Sequence, residues 1–141
     1  MFKVLIGVDG STHAQHAIGA VARLARDSPA MEVSLVNVSK LPDHGDLSPS
    51  VMREIEEARH ARQEELLENA VALARANGLV VSGRHGTSGD VVMEIVALAR
   101  ETGADLIVVG TRGMGALGSL VLGSVALGVV HQAQVPVMLV K

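Results

Sequence analysis

The chain has 141 residues, 48% of them hydrophobic and 19% charged, with a formal net charge of −3. That length fits one domain over residues 1–141 with enough chain to bury a core, and the composition excludes a disordered polymer. The charge gives no electrostatic footprint for nucleic acid, the only aromatic residue (Phe2) rules out a base-stacking platform, and the lack of cysteine removes disulfides and thiol chemistry.

Residues 4–8, Val-Leu-Ile-Gly-Val, form a short apolar run of the kind buried on both faces of a parallel sheet. The run is too short for the core of a signal peptide, so a cytoplasmic protein is expected. Asp9-Gly10-Ser11-Thr12 breaks it. Thr12 and Gln15 have capping-box spacing, with Ser11 as a competing N-cap, and Ala14, Ala17, Ile18, Val21, Ala22 and Ala25 follow at helical intervals. His13 and His16 on this helix read as solvent-facing, because no third ligand of known position joins them in a metal site.

Residues 31–38 read as a second strand and 39–50 as a turn-rich loop. Residues 50–77 form a long helical pattern with Met52, Ile55, Leu66, Leu73 and Ala74 inward and its charges on a solvated face. Asn77-Gly78 is a C-cap signal. Residues 79–83 read as a third strand. Ser88 is then expected to cap a helix whose apolar face is Val92, Ile95, Val96 and Ala99, ended by Gly103. Residues 104–110, "ADLIVVG", are the clearest strand in the chain. A helical pattern runs to about residue 134, and "VPVMLVK" closes as a fifth strand. Gly128 lies inside the last helix, where it costs roughly 1 kcal/mol relative to alanine. It is read as permitting close packing.

Strands alternating with helices imply an α/β fold: a five-stranded parallel open sheet, order 3-2-1-4-5, with helices on both faces. Ligands of such sheets bind beyond the carboxyl ends of the strands, where the strand order reverses. Asp9 after strand one and Gly110 after strand four would face one crevice there.

Gly110 opens the stretch "GTRGMGALGSLVLGS", residues 110–124. Glycines let backbone N–H groups approach a polyanion, and a following helix N-terminus adds free N–H groups and a favourable dipole. Ser124 can cap that helix or give its hydroxyl to a phosphate, and Arg112 offers a countercharge. Gly118-x4-Gly123 has the glycine interval of a P-loop, but Ser124 stands where the lysine belongs. The stretch is not read as a dinucleotide fingerprint either. Residues 113–140 contain no Asp, Glu, Lys or Arg, but repeated glycines, serines and Pro136 interrupt them, so no membrane helix is read there.

The pattern G110-x2-G113-x9-G123-S124, placed between "ADLIVVG" and "VPVMLV", resembles the nucleotide loop of the universal stress proteins, and "VLIGVDGS" resembles that family's opening strand. The resemblance implies a Rossmann-like, adenine nucleotide alpha hydrolase-like domain that binds ATP. Asp9 would contact the nucleoside, Val38 would meet adenine through its backbone, and Gly110 would lie along the ribose. Gly113, Gly123, Ser124 and Val125 would hold the phosphates through N–H groups and the serine hydroxyl. Arg112 lies in the loop without an assigned contact. Mg²⁺ would be carried by the phosphates more than by protein ligands.

The last strand would be an apolar edge blunted only by Lys141, which invites pairing of residues 136–141 across a twofold axis into a homodimer. The resulting expectation is a nucleotide-dependent sensor or regulator acting on an unknown protein partner. Two other readings stay open. One is a slow ATPase or phosphotransferase, for which Asp9 and Arg112 are the only nearby groups. The other is a nucleotide-free dimer that works through protein partners.

Overall fold

The computed structural model describes residues 1–28, 30–41, 45–111 and 122–141. The elements are β1 (Phe2–Gly7), α1 (Thr12–Ala25), β2 (Met31–Ser39), α2 (Pro49–Ala76), β3 (Val81–Ser88), α3 (Val91–Thr102), β4 (Leu106–Gly110), α4 (Ser124–Gln132) and β5 (Val137–Val140). The five strands lie in the order β3-β2-β1-β4-β5, and every neighbouring pair is parallel. This is the expected topology.

Strands in the middle of such a sheet need apolar side chains on both faces. Val4 and Ile6 of β1 join a core with α1 and α2, whereas Leu5 between them joins a second core with α3 and α4. In β4, Val108 enters the first core, and Ile107 and Val109 enter the second. Among the described residues no helix is long and apolar enough to cross a membrane.

Three local expectations change. The third strand runs over Val81–Ser88 and not residues 79–83, with exposure alternating along its whole length. Its sequence, "VSGRHGTS", holds two glycines and little apolar surface, so periodicity alone misses it. A Cβ on Gly86 would fall 2.8 Å from Gln63 Oε1, so this glycine makes room for a side chain of α2. Ser88 is therefore the last residue of β3, and α3 is capped by Asp90, whose Oδ1 accepts from Met93 N–H at 2.9 Å. In α2 the buried positions are Gln63, Leu67, Ala70, Val71 and Ala74. Of the five inward residues expected there, Ala74 is buried and Leu66 and Leu73 are half-buried against the same core, whereas Met52 and Ile55 join neither core among the described residues.

Other signals hold. At α1 the competing cap is the one used: Ser11 Oγ accepts from Ala14 N–H at 3.3 Å, and Thr12, which had the capping-box spacing to Gln15, is the first helical residue. Asn77 caps α2 through Leu73, and Gly78 follows at φ +82°. Gly128 does permit close packing: a Cβ there would lie 2.6 Å from Val92 Cγ2, where α4 crosses α3.

Candidate functional site

Beyond the carboxyl ends of β1, β2 and β4 opens a cleft of about 550 Å³. Asp9, Val38, Gly110, Gly123, Ser124 and Val125 all border it. The expected crevice between Asp9 and Gly110 is therefore present. Arg112 and Gly113, also expected at the site, lie outside the described residues.

Each wall has a local cause. Asp9 is set by a tight turn in which Ser11 N–H donates to Asp9 Oδ1 at 2.9 Å, and Gly10 takes φ +81°, a conformation glycine adopts without strain. On the other side β4 ends at Gly110. A Cβ on Gly110 would stand 2.8 Å from His13 Cβ and 3.2 Å from the His13 carbonyl carbon. This glycine is thus required first by the approach of α1, before any ligand is considered. The same contact corrects the reading of His13 as solvent-facing. The residue is half-buried, and its Nδ1 is shielded with no hydrogen-bond partner among the described residues. His16 is exposed, and its Nδ1 lies 3.2 Å from the Lys141 carbonyl oxygen. No group of acidic and histidine side chains among the described residues could hold a metal ion.

The chain leaves the sheet at Thr111, whose N–H donates to Val140 O at 2.9 Å. It returns at Gly123, whose N–H donates to Thr111 O at 2.7 Å. That bond changes one expectation, because the Gly123 N–H is already used inside the protein. Gly123 is also the N-cap of α4, with φ −63° and ψ 157° and no side-chain bond. Ser124 is therefore the first helical residue and not the cap. The N–H groups of Ser124 and Val125 lie in the first turn, where a helix supplies no acceptor, and they carry the positive end of its dipole.

Two residues that motif reasoning did not single out organise the β2 side. Asn37 is 8% exposed and Gln63 of α2 is 6% exposed. Asn37 Nδ2 donates to Val8 O at 2.7 Å. Gln63 Nε2 reaches Thr87 O at 2.7 Å, Asn37 Oδ1 and Ser39 Oγ at 3.0 Å, and Asn37 O at 3.1 Å. Buried amides survive only when paired in this way. The available signal was a lone amide inside the apolar run "VSLVNVS", a position where a strand buried on both faces has no use for one.

The glycine stretch needs one correction of its own. Residues 113–118, "GMGALG", do have the spacing of a dinucleotide fingerprint. The fingerprint also requires an acidic residue about twenty positions on for the ribose, and none occurs in residues 113–140.

An open parallel sheet with this cleft at its switch point defines a Rossmann-like, doubly wound α/β domain. The chain belongs to the universal stress protein family, whose model matches residues 1–141. It is 37% identical to a universal stress protein of Thermus aquaticus, encoded 3′ of a QAH/OAS sulfhydrylase, across 100% of both chains. Among solved structures it resembles a universal stress protein in complex with cAMP, with a TM-score of 0.71 and 26% identity over 99% of this chain and 96% of that one. It also resembles the universal stress protein of Archaeoglobus fulgidus in complex with dAMP, with a TM-score of 0.66 and 26% identity over 100% of this chain and 98% of that one.

Proposed function

We propose that this protein binds an adenine nucleotide, ATP with Mg²⁺, in the cleft beyond β1, β2 and β4, and that it acts as a homodimeric sensor. The observation that carries the reading is the convergence of Asp9, Val38, Gly110, Gly123, Ser124 and Val125 on one cleft. The complexes of two structural relatives with cAMP and dAMP support an adenine ligand.

In this reading Asp9 takes the nucleoside, the Val38 backbone meets the base, and Gly110 leaves room along the ribose. The Ser124 hydroxyl and the Ser124 and Val125 N–H groups hold the phosphates. Gly123 contributes an absent side chain, since its N–H already bonds Thr111. Arg112 and Gly113 complete the phosphate loop. Mg²⁺ rides on the phosphate oxygens. The homodimer forms at β5, which among the described residues pairs only with β4 and is an edge of the sheet. Nucleotide occupancy shifts the population of surfaces offered to a protein partner.

The test is calorimetric titration of ATP-Mg²⁺, AMP and cAMP into nucleotide-stripped protein, beside Gly123→Val. Valine tolerates the backbone angles at this position, so the variant adds bulk at the cleft without backbone strain. Saturable binding weakened by about tenfold or more in the variant is expected, equivalent to about 1.4 kcal/mol. Absence of binding in the wild type overturns the reading.

A further inference from the structure

We infer that Asn37, held in place by Gln63, is a positioning residue that keeps the end of β2 open for a purine base. The inference rests on the nucleotide reading and assigns base selection within that site.

β1 and β2 pair regularly up to Gly7 opposite Val36, and Val8 N–H continues the ladder to Val36 O at 2.8 Å. In a regular parallel ladder the next bond would run from Val38 N–H to Val8 O. The pairing instead stops, and Val8 O accepts from Asn37 Nδ2 at 2.7 Å. A side chain has taken the acceptor that the backbone would have used.

The consequence follows from strand geometry. Polar groups of alternate residues point to the same side of a strand, so the N–H and C=O of Val38 face the side where Val36 meets β1. Beyond Val8, however, β1 has turned away through Asp9 and Gly10. Val38 thus presents one donor and one acceptor to the cleft that it borders. Adenine offers an acceptor at N1 and a donor at N6. With the ribose fixed, guanine sets an acceptor and a donor in the opposite order, so like groups would meet.

Gln63 makes the arrangement single-valued. Its two amide hydrogens have four acceptors within 3.1 Å, one of them Asn37 Oδ1. An oxygen held by that donor leaves Asn37 Nδ2 no choice but to face the Val8 carbonyl. Both amides are buried, so water cannot take their place.

The experiment has two arms on wild type and Asn37→Ala, with Asn37→Leu, of similar volume and without a donor, carried in parallel in case the alanine variant does not fold. The first arm follows amide hydrogen exchange at Val38 by NMR and needs no ligand. Exchange in the variants is expected to slow about tenfold as Val38 N–H closes onto the freed Val8 carbonyl. The second arm measures binding of AMP, GMP and ribose 5-phosphate. The wild type should prefer AMP over GMP by about tenfold, one hydrogen-bond pattern. In the variants AMP binding should fall to the GMP level, while ribose 5-phosphate, which has no base, stays within about twofold. Equal loss of AMP and ribose 5-phosphate means general damage and overturns the inference, as does unchanged selectivity with unchanged Val38 exchange. Failure of the wild type to bind all three overturns the nucleotide reading and the inference together, and is recognised because it appears without any substitution.

Discussion

On the β2 side of the cleft, polar side chains close the backbone: Asn37 bonds Val8, and Gln63 ties α2 to β2 and β3. On the β4 side the backbone is brought close by missing side chains, with Gly110 under α1 and Gly128 under α3. The first wall fails when a group is removed, the second when one is added. A ligand site can therefore be rigid on both sides while the substitutions that damage it have opposite signs of volume.

The largest effect should come from adding bulk on the β4 side. Gly110→Val places atoms against the Cβ and main chain of His13, which have no flexible end to yield. A stability loss of about 3 kcal/mol in urea denaturation is expected, with weakened nucleotide binding. A loss no larger than that of an ordinary surface change would break the comparison.

Next comes removal on the β2 side. Gln63→Leu keeps the volume but deprives Thr87 O and Asn37 Oδ1 of their buried donor, for an expected loss of about 2 kcal/mol by the same measurement. Capping gives a smaller increment. Asp90→Ala removes the acceptor for Met93 N–H at the start of α3, beside Val91 on the cleft wall, and should cost about 1 kcal/mol. The smallest effect sharpens the contrast. Arg84 and Glu64 also join β3 to α2, at 2.8 Å, but their side chains are 42% and 40% exposed. Arg84→Ala should shift stability by no more than about 0.5 kcal/mol, because water and salt screen the pair. The same two elements are thus linked twice, and only the buried link should register.

The sheet order was legible because β1, β2, β4 and β5 are apolar runs separated by helical periodicity, and right-handed crossovers leave few arrangements. β3 was only half legible. Its extension to Ser88 depends on pairing with β2 and on Gly86 yielding space to Gln63, a tertiary contact that no local window contains. The cleft was legible at Asp9, Gly110 and Ser124, where turn chemistry and glycine spacing mark the chain. Asn37 and Gln63 were not, since single amides carry no spacing signal and acquire their role only when two elements meet. His13 misled for a related reason. Its shielding is produced by the absence of a side chain at Gly110, far along the sequence.

Gly128 and Val92 share one small volume between two helices, and that has a bearing on how the protein can be redesigned. A library randomised at position 128 alone should return glycine, despite the helix propensity it gives up, about 1 kcal/mol against alanine. Randomised together, the two positions become exchangeable. Alanine at 92 vacates the space that alanine at 128 would fill, and the helix gains a better helix former in the trade. The pair behaves as one composite residue split across two segments, and its parts should be varied jointly.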